Sequence, residues 1–176
     1  MRLISDVPKG VFLSGGIDSG IVTAIASTLS GGRIKTFSIG FDEPSFDETI
    51  FSRRVARQFN TEHHERVFTS RDLLDLLPTI SEFLDEPFAD ASILPTYLLS
   101  RFSKDYITVA LSGDGGDELF AGYPTYIAHK IYACFKILPP RLNKYLAGMA
   151  KSVIPVSMNS LSLDYQFKKF LAGLNR

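Results

Sequence analysis

Two short segments of this 176-residue chain combine glycines, hydroxyls and carboxylates in patterns suited to phosphate chemistry. The first is Ser14-Gly15-Gly16-Ile17-Asp18-Ser19, directly after an apolar run, Val11 to Leu13. Gly15 and Gly16 let the backbone turn tightly and bring N–H groups close to a ligand. A helix beginning near Ser19 adds the positive end of its dipole, and the Ser14 and Ser19 hydroxyls add further donors. The segment therefore suits a polyanion. It is not the lysine-containing phosphate loop, because G-x-x-x-x-G-K-[ST] occurs nowhere in the sequence. Asp18 inside such a cradle would repel the anion unless a divalent cation lay between them, which argues for Mg²⁺ bridging carboxylate and phosphate oxygens. A glycine turn with a capping Asp is the competing reading for a lone glycine pair; the six-residue pattern at a strand–helix junction favours phosphate binding.

The second segment is Ser112-Gly113-Asp114-Gly115-Gly116-Asp117-Glu118, again directly after an apolar run. In open α/β sheets ligands sit outside the carboxyl ends of the strands, so two glycine-rich turns in such positions can face one crevice. Asp114, Asp117 and Glu118 would then supply carboxylates for metal ions opposite Asp18. The alternative is a solvated acidic turn that caps the next helix.

The elements that must position these turns follow from periodicity. Val11–Ser14 is expected to be a buried parallel strand, and Gly20–Leu29 a helix with Ile21, Val22, Ala24, Ile25, Ala26 and Leu29 at helical spacing, stopped by Gly31-Gly32. A second strand is expected over Ile34–Ile39. Asp47 is expected to cap a helix with Ile50, Phe51, Val55, Ala56 and Phe59 on one face and Asn60 at its end. A third strand, His63–Phe68, leads to a Leu-rich helix capped by Ser70. Pro78, Pro87 and Pro95 punctuate the middle, so Asp85–Ser92 is expected to be a loop. Ile93–Ser103 reads as a helix and Tyr106–Leu111 as the clearest strand. Alternating strands and helices imply an α/β fold built on a right-handed parallel sheet with flanking helices. After Gly122 the pattern changes to three aromatic-rich helices, Tyr126–Leu138, Arg141–Val153 and Asp164–Leu174; either they pack on the sheet or the chain is part of something longer.

Composition excludes several classes. Lys plus Arg and Asp plus Glu both number 19, so there is no basic excess to neutralise a nucleic-acid backbone. A single cysteine, Cys134, excludes an internal disulfide framework and a multi-cysteine zinc site, in keeping with a reducing, cytoplasmic compartment. The longest apolar runs are strand-sized, so no membrane span is expected. No G-x-S-x-G nucleophile elbow is present. His63 and His64 are adjacent, point to opposite faces of a strand and cannot ligate one metal together. His129, Arg53-Arg54 and Lys168-Lys169 read as packing or solvated surface groups.

Ser14-Gly-Gly-Ile-Asp-Ser19 resembles the pyrophosphate loop of the N-type ATP pyrophosphatases. Paired with Ser112-Gly-Asp-Gly-Gly-Asp-Glu-Leu-Phe-Ala-Gly-Tyr123, it is similar to the synthetase domain of glutamine-dependent asparagine synthetases. Phe37-Ser-Ile-Gly-Phe41, His63-His64-Glu65, Asp85-Glu-Pro-Phe-Ala-Asp90 and Pro95-Thr-Tyr-Leu-Leu-Ser100 extend the likeness, which covers Leu3 to about Tyr126. The resemblance implies the adenine nucleotide α hydrolase-like fold: a pyrophosphatase core over residues 1–125 and a truncated helical extension of the same domain over 126–176. It implies that Ser14, Gly15, Gly16, Asp18 and Ser19 hold the pyrophosphate part of ATP, that Leu13 and Ile39 flank adenine and ribose, and that Ser112 and Gly113 contact the nucleotide. Asp18 and Asp117 would carry Mg²⁺, and Asp18, Asp114 and Asp117 would form the catalytic set. Asp114 stands where many relatives have Glu. The implied reaction adenylates aspartate to β-aspartyl-AMP, releases pyrophosphate, and then amidates with ammonia derived from glutamine. A relative acting on another carboxylate, of the β-lactam synthetase or peptide cyclase type, or an inactive nucleotide-binding fragment, shares the same loops. The glutaminase domain that normally precedes the synthetase part, and the later portion carrying a catalytic lysine, have no counterpart in these residues, so a fragment or truncated relative is expected, and a homo-oligomer stays open.

Overall fold

Val11 and Phe37 are fully shielded from solvent, and Leu13 is 1% exposed. Burying such side chains contributes about 1.5–3 kcal/mol each, enough to draw their strands to the centre of a sheet. The structure, a computed structural model, describes residues 3–86, 90, 92–123, 126 and 130. The chain divides into two compact units, Met1–Gly115 and Gly116–Arg176.

The first unit is a four-stranded parallel sheet with flanking helices, as the alternation of elements implied. Its strands are β1 (Lys9–Phe12), β2 (Lys35–Phe41), β3 (Glu62–Phe68) and β4 (Val109–Leu111). Helix α1 (Ile17–Leu29) joins β1 to β2, α2 (Thr49–Gln58) joins β2 to β3, and α3 (Ser70–Phe83) with α4 (Ile93–Ser103) precedes β4. The strand order is β3-β2-β1-β4. The chain thus winds outward from β1 to β3 and returns to the other side of β1, which makes the junction of β1 and β4 the topological switch point. Val11 pairs with both Thr36 and Leu111, so the segments after β1 and β4 leave the sheet at the same height.

Alternation along the strands separates two faces. Val11 packs with Ala26 and Ile34 beneath α1, and Ser38 meets Ser52 of α2. On the other face Phe68, Leu76, Ile80 and Leu98 form a cluster with Ile39 and Phe41 under α3 and α4. His63 and His64 do point to opposite faces: His63 bonds Thr36 and Ser38, whereas His64 stacks on Phe37 at 5.1 Å between ring centroids.

Several boundaries and faces differ from expectation. β1 begins at Lys9 and ends at Phe12, two residues before Ser14, although Leu13 N–H still bonds Phe37 C=O at 2.8 Å. β2 continues to Phe41, and α1 opens at Ile17, so Asp18 lies inside its first turn. β4 holds only Val109–Leu111, because the Tyr106 and Ile107 N–H groups turn back to Ser103 C=O. Thr69, not Ser70, caps α3, in a reciprocal box with Asp72. Asp47 sits one residue before the N-cap Glu48 and takes the Thr49 N–H at 3.1 Å. Pro78 lies inside α3 and Pro95 inside the first turn of α4, where a missing N–H costs little. Asn60 does end α2, with φ of 50°, and Gly31 follows α1 with φ of 66°.

The buried faces of α1 and α2 are the main correction. α1 buries Ser19, Thr23 and Ala26, and α2 buries Thr49, Ser52 and Ala56. Ile21, Ile25, Leu29, Ile50, Phe51 and Phe59 are exposed. Small residues face the sheet: Ser, Thr and Ala take up less room than Ile, Leu or Phe between these two helices and the strands.

In the second unit, α5 (Gly116–Phe120) is closed by Ala121 at φ of 57° and by the Gly122 N–H bonding Asp117 C=O at 3.0 Å. The Tyr123 hydroxyl donates to the Glu118 carboxylate, which pushes the phenol up to about 12. The helices expected over 126–138, 141–153 and 164–174, apart from Tyr126 and Lys130, lie outside the described residues, as do His129, Cys134 and Lys168-Lys169.

Candidate functional site

The Ser14–Ser19 segment turns as its glycines require. Gly15 has φ of +89°, a region that side chains rarely occupy. Gly16 is the N-cap of α1 in extended conformation, without a side-chain cap among the described residues. The Ser14 hydroxyl takes the Gly16 N–H at 3.2 Å and lies 2.9 Å from Ser19 Oγ. Ser19 Oγ in turn donates to Gly16 C=O at 3.2 Å. The first intrahelical bond is Gly20 N–H to Gly16 C=O at 3.0 Å, so the N–H groups of the first turn remain oriented outward as donors.

The second glycine turn meets the first. A Cβ built on Gly113 would lie 2.6 Å from Ser19 N and 3.0 Å from the Asp18 carbonyl carbon. The segment after β4 therefore rests its bare backbone on the opening turn of α1. Within it, the Ser112 hydroxyl donates to the Asp114 carboxylate at 2.7 Å.

Between them, outside the carboxyl ends of β1, β2 and β4, lies a half-open cavity of about 370 Å³. It gathers Leu13, Ser14, Gly16, Asp18, Ser19, Ile39, Ser112, Gly113 and Asp114, nine of the residues singled out by sequence. Gly15 does not line it: its backbone is turned onto α2, where a Cβ would lie 2.6 Å from Phe51 Cβ and from Ser52 N. Asp117 belongs to the second unit, where its carboxylate is packed on Gly122.

Sequence reasoning missed part of the wall. Phe12, Ser38, Phe41, Phe46, Glu48, Pro95, Thr96 and Leu99 also line the cavity. Phe46 and Glu48 come from the β2–α2 connection and carried no motif. Pro95 and Thr96 lay in a stretch that bore the family likeness, yet nothing in their types announced a wall position. The result is a cavity with apolar sides, formed by Leu13, Ile39, Phe41, Phe46 and Leu99, and a floor of hydroxyls, backbone N–H groups and the Asp18 and Asp114 carboxylates. Such an arrangement suits a flat apolar ring joined to a polyanion.

Among the described residues, no group of three or more His, Cys, Asp or Glu side chains forms a self-contained metal site. Also among them, no helix is long and apolar enough to cross a membrane. A second cavity, at the opposite end of the strands, is lined by Arg33, Arg53, Arg57, Asn60 and His63. There Arg53 is held in a forked pair by Glu65, and Arg33 is anchored on the Asn60 and Thr61 carbonyls. Burial pushes the His63 imidazole down, against the opposing pull of Glu65.

A family model described as asparagine synthase matches residues 1–175. The putative asparagine synthetase (glutamine-hydrolyzing) 2 of Methanocaldococcus jannaschii is 45% identical over 128 residues, 72% of this chain and 25% of that protein. Asparagine synthetase (glutamine-hydrolyzing) 1 of Bacillus subtilis is 38% identical over 163 residues, 93% of this chain and 26% of that protein. Among solved structures, NMN synthetase from Francisella tularensis superposes with a TM-score of 0.46 at 18% identity, over 66% of this chain and 49% of that one. The chain spans about a quarter of the length of these curated relatives. With nearly its whole length matched by the family model, the chain belongs to the asparagine synthase family.

Proposed function

We propose that this chain forms the ATP-binding part of a synthetase that activates the side-chain carboxylate of aspartate as β-aspartyl-AMP, releases pyrophosphate and transfers the acyl group to ammonia. In the longer family members that ammonia would come from glutamine. The single observation that carries this reading is the contact of the two glycine turns at one cavity, with Gly113 seated on the backbone of Asp18 and Ser19.

Each part of the cavity has a task in the reaction. The N–H groups at the start of α1 and the Ser14 and Ser19 hydroxyls bind the β- and γ-phosphates. Leu13 and Ile39 flank the adenosine, and Ser112 with Gly113 holds it from the β4 side. The aspartate carboxylate attacks the α-phosphorus and the pyrophosphate oxygen leaves, so charge builds on a group already lodged in the donor cradle. Fixed donors aimed at developing charge, and alignment of the two reactants, supply the rate.

Asp18 would hold Mg²⁺, with Asp114 beside the nucleotide. The donor set fits that ion: oxygen ligands in small number leave room for phosphate oxygens and water, which Mg²⁺ keeps in its coordination shell. When bound, the ion neutralises the phosphate oxygens. The family and the single cysteine favour a cytoplasmic setting.

Calorimetry with Mg·ATP on this chain tests the nucleotide reading; no binding heat at millimolar nucleotide would remove it. Aspartate-dependent exchange of labelled pyrophosphate into ATP, measured on a form as long as the curated relatives, tests the chemistry. Exchange driven equally by unrelated carboxylic acids would remove aspartate as the substrate.

A further inference from the structure

A chain of buried hydroxyls closed by one imidazole runs beneath the cavity. Thr61 Oγ1 lies 2.8 Å from Thr36 Oγ1, and Thr36 Oγ1 lies 3.0 Å from His63 Nδ1. His63 Nε2 lies 3.2 Å from Ser38 Oγ, Ser38 Oγ lies 3.2 Å from Ser52 Oγ, and Ser52 Oγ donates to the Thr49 carbonyl at 3.1 Å. Thr36 and Ser52 are fully buried, and Ser38 and Thr61 are 3% and 4% exposed. A polar network so deeply buried is stable only when every member is satisfied. A neutral imidazole meets that need, since one ring nitrogen accepts and the other donates. With the Ser52 hydrogen on the Thr49 carbonyl, donors run in one direction, from Thr61 to Thr36 to Nδ1, and from Nε2–H to Ser38, to Ser52 and on to that carbonyl.

Both ends of the Ser38–Ser52 pair reach the candidate site. Ser38 lines the cavity. The Ser52 backbone N is one of the three atoms against which Gly15 rests, at 2.6 Å from where its Cβ would be. The opening turns of α2 are thus the seat of the phosphate loop, and Ser52 is tied to the sheet through Ser38 and the imidazole.

We propose that His63 is a positioning residue for the phosphate loop: it holds Ser38 and, through it, Ser52, which fixes the part of α2 on which Gly15 is seated. This inference rests on the nucleotide reading above. The charged groups around the ring set its balance. From β3, Glu65 lies 3.7 Å from Nε2 and opposes the effect of burial, and Arg53 of α2 shares that carboxylate in a forked pair. Arg57 of α2 and Arg33 before β2 share the neighbouring cavity with His63, and the nearby His64 and Arg53 disfavour a second proton on the ring. A doubly protonated ring would donate from Nδ1 to Thr36, which already accepts from Thr61, and the Thr36 hydrogen would lose its acceptor.

The test is Mg·ATP calorimetry and thermal unfolding on the wild type, His63→Phe, His63→Gln, Ser38→Ala and the His63→Phe/Ser38→Ala double variant. Removing a group that orients a binding group commonly costs about tenfold in affinity. His63→Phe and Ser38→Ala are each expected to weaken binding by about that factor. The double variant is expected to lose little more than either single one, because both act along one path. His63→Gln, which keeps a donor and an acceptor, is expected to recover part of the loss, and the wild-type affinity is expected to fall as the ring is protonated in mild acid. Folded His63→Phe or Ser38→Ala with wild-type affinity would overturn the proposal alone, as would losses that simply add. A wild type without affinity for Mg·ATP would overturn the nucleotide reading and this proposal with it. Should His63→Phe fail to fold, Ser38→Ala, which removes one oxygen, decides the matter by itself.

Discussion

Gly113 and Ser19 meet backbone to backbone, with a gap that leaves no room for a methyl group: a Cβ on Gly113 would stand 2.6 Å from Ser19 N. The two residues are far apart in sequence, and only the return of the chain from β3 to the far side of β1 brings them together. The obstacle is main chain, so it cannot swing aside as the end of a side chain would. Gly113→Ala is expected to destabilise the fold by about 1–3 kcal/mol through forced backbone shifts and to weaken Mg·ATP binding more than tenfold. Gly115→Ala is the contrast: Gly115 has φ of +86° but open space around it, so only conformational strain of about 1 kcal/mol is expected. Urea denaturation of the two variants checks the order. Equal losses would mean that the contact between the turns carries no weight.

Asp18 poses a charge problem that separates two readings of the cavity. In the first turn of α1 its carboxylate favours the helix dipole, yet it faces the space where phosphate would lie. If a divalent cation mediates, Asp18→Asn lowers Mg·ATP affinity by about tenfold or more while leaving metal-free ATP binding unchanged or improved. If Asp18 serves the helix alone, both affinities stay level and only the unfolding midpoint falls. Calorimetry with and without Mg²⁺ distinguishes the two.

The parts of this fold that could be read in advance are those set by local chemistry. Gly15, Gly31 and Asn60 occupy the left-handed conformations that their types suggested, and both glycine turns sit where apolar runs end. Helix α4 has the expected bounds. What escaped depends on partners distant in sequence. The rule that apolar stripes face inward held for Val22, Ala26 and Ala56 but failed for the larger Ile, Leu and Phe side chains of α1 and α2, whose places toward the sheet are taken by Ser, Thr and Ala. The wall contributed by Phe46, Glu48 and Thr96 was hidden for the same reason, since no local pattern records which loop ends beside which strand.

The corrected face of α1 makes its own prediction. Ala26 is 1% exposed and packed with Val11 and Ile34, whereas Ile25, its neighbour in sequence, is 54% exposed. Ala26→Leu would force a branched side chain into a filled space and is expected to cost about 1–3 kcal/mol. Ile25→Gln is expected to change stability by less than about 0.5 kcal/mol. Were Ile25 turned to the sheet in place of Ala26, the order would be the reverse, so chemical denaturation of this pair tests the packing directly.

The imidazole of His63 gives stability a pH dependence whose sign follows from its surroundings. Burial is the largest influence and holds its folded pKa below the ordinary value of 6.5, with Glu65 opposing. Between that lowered value and 6.5 the unfolded chain binds more protons than the native one, so stability rises with pH across this window. The contribution is complete above the unfolded value and is lost as the pH falls through the window. Urea midpoints measured between about pH 5 and pH 8 are expected to show the decline in the wild type. The same series in His63→Gln removes this titration while other groups continue to respond, so the gap between the curves should narrow towards acid. A gap that stays constant would mean that folding leaves the proton affinity of the ring unchanged, and a gap that widens in acid would mean that the folded network prefers the protonated ring.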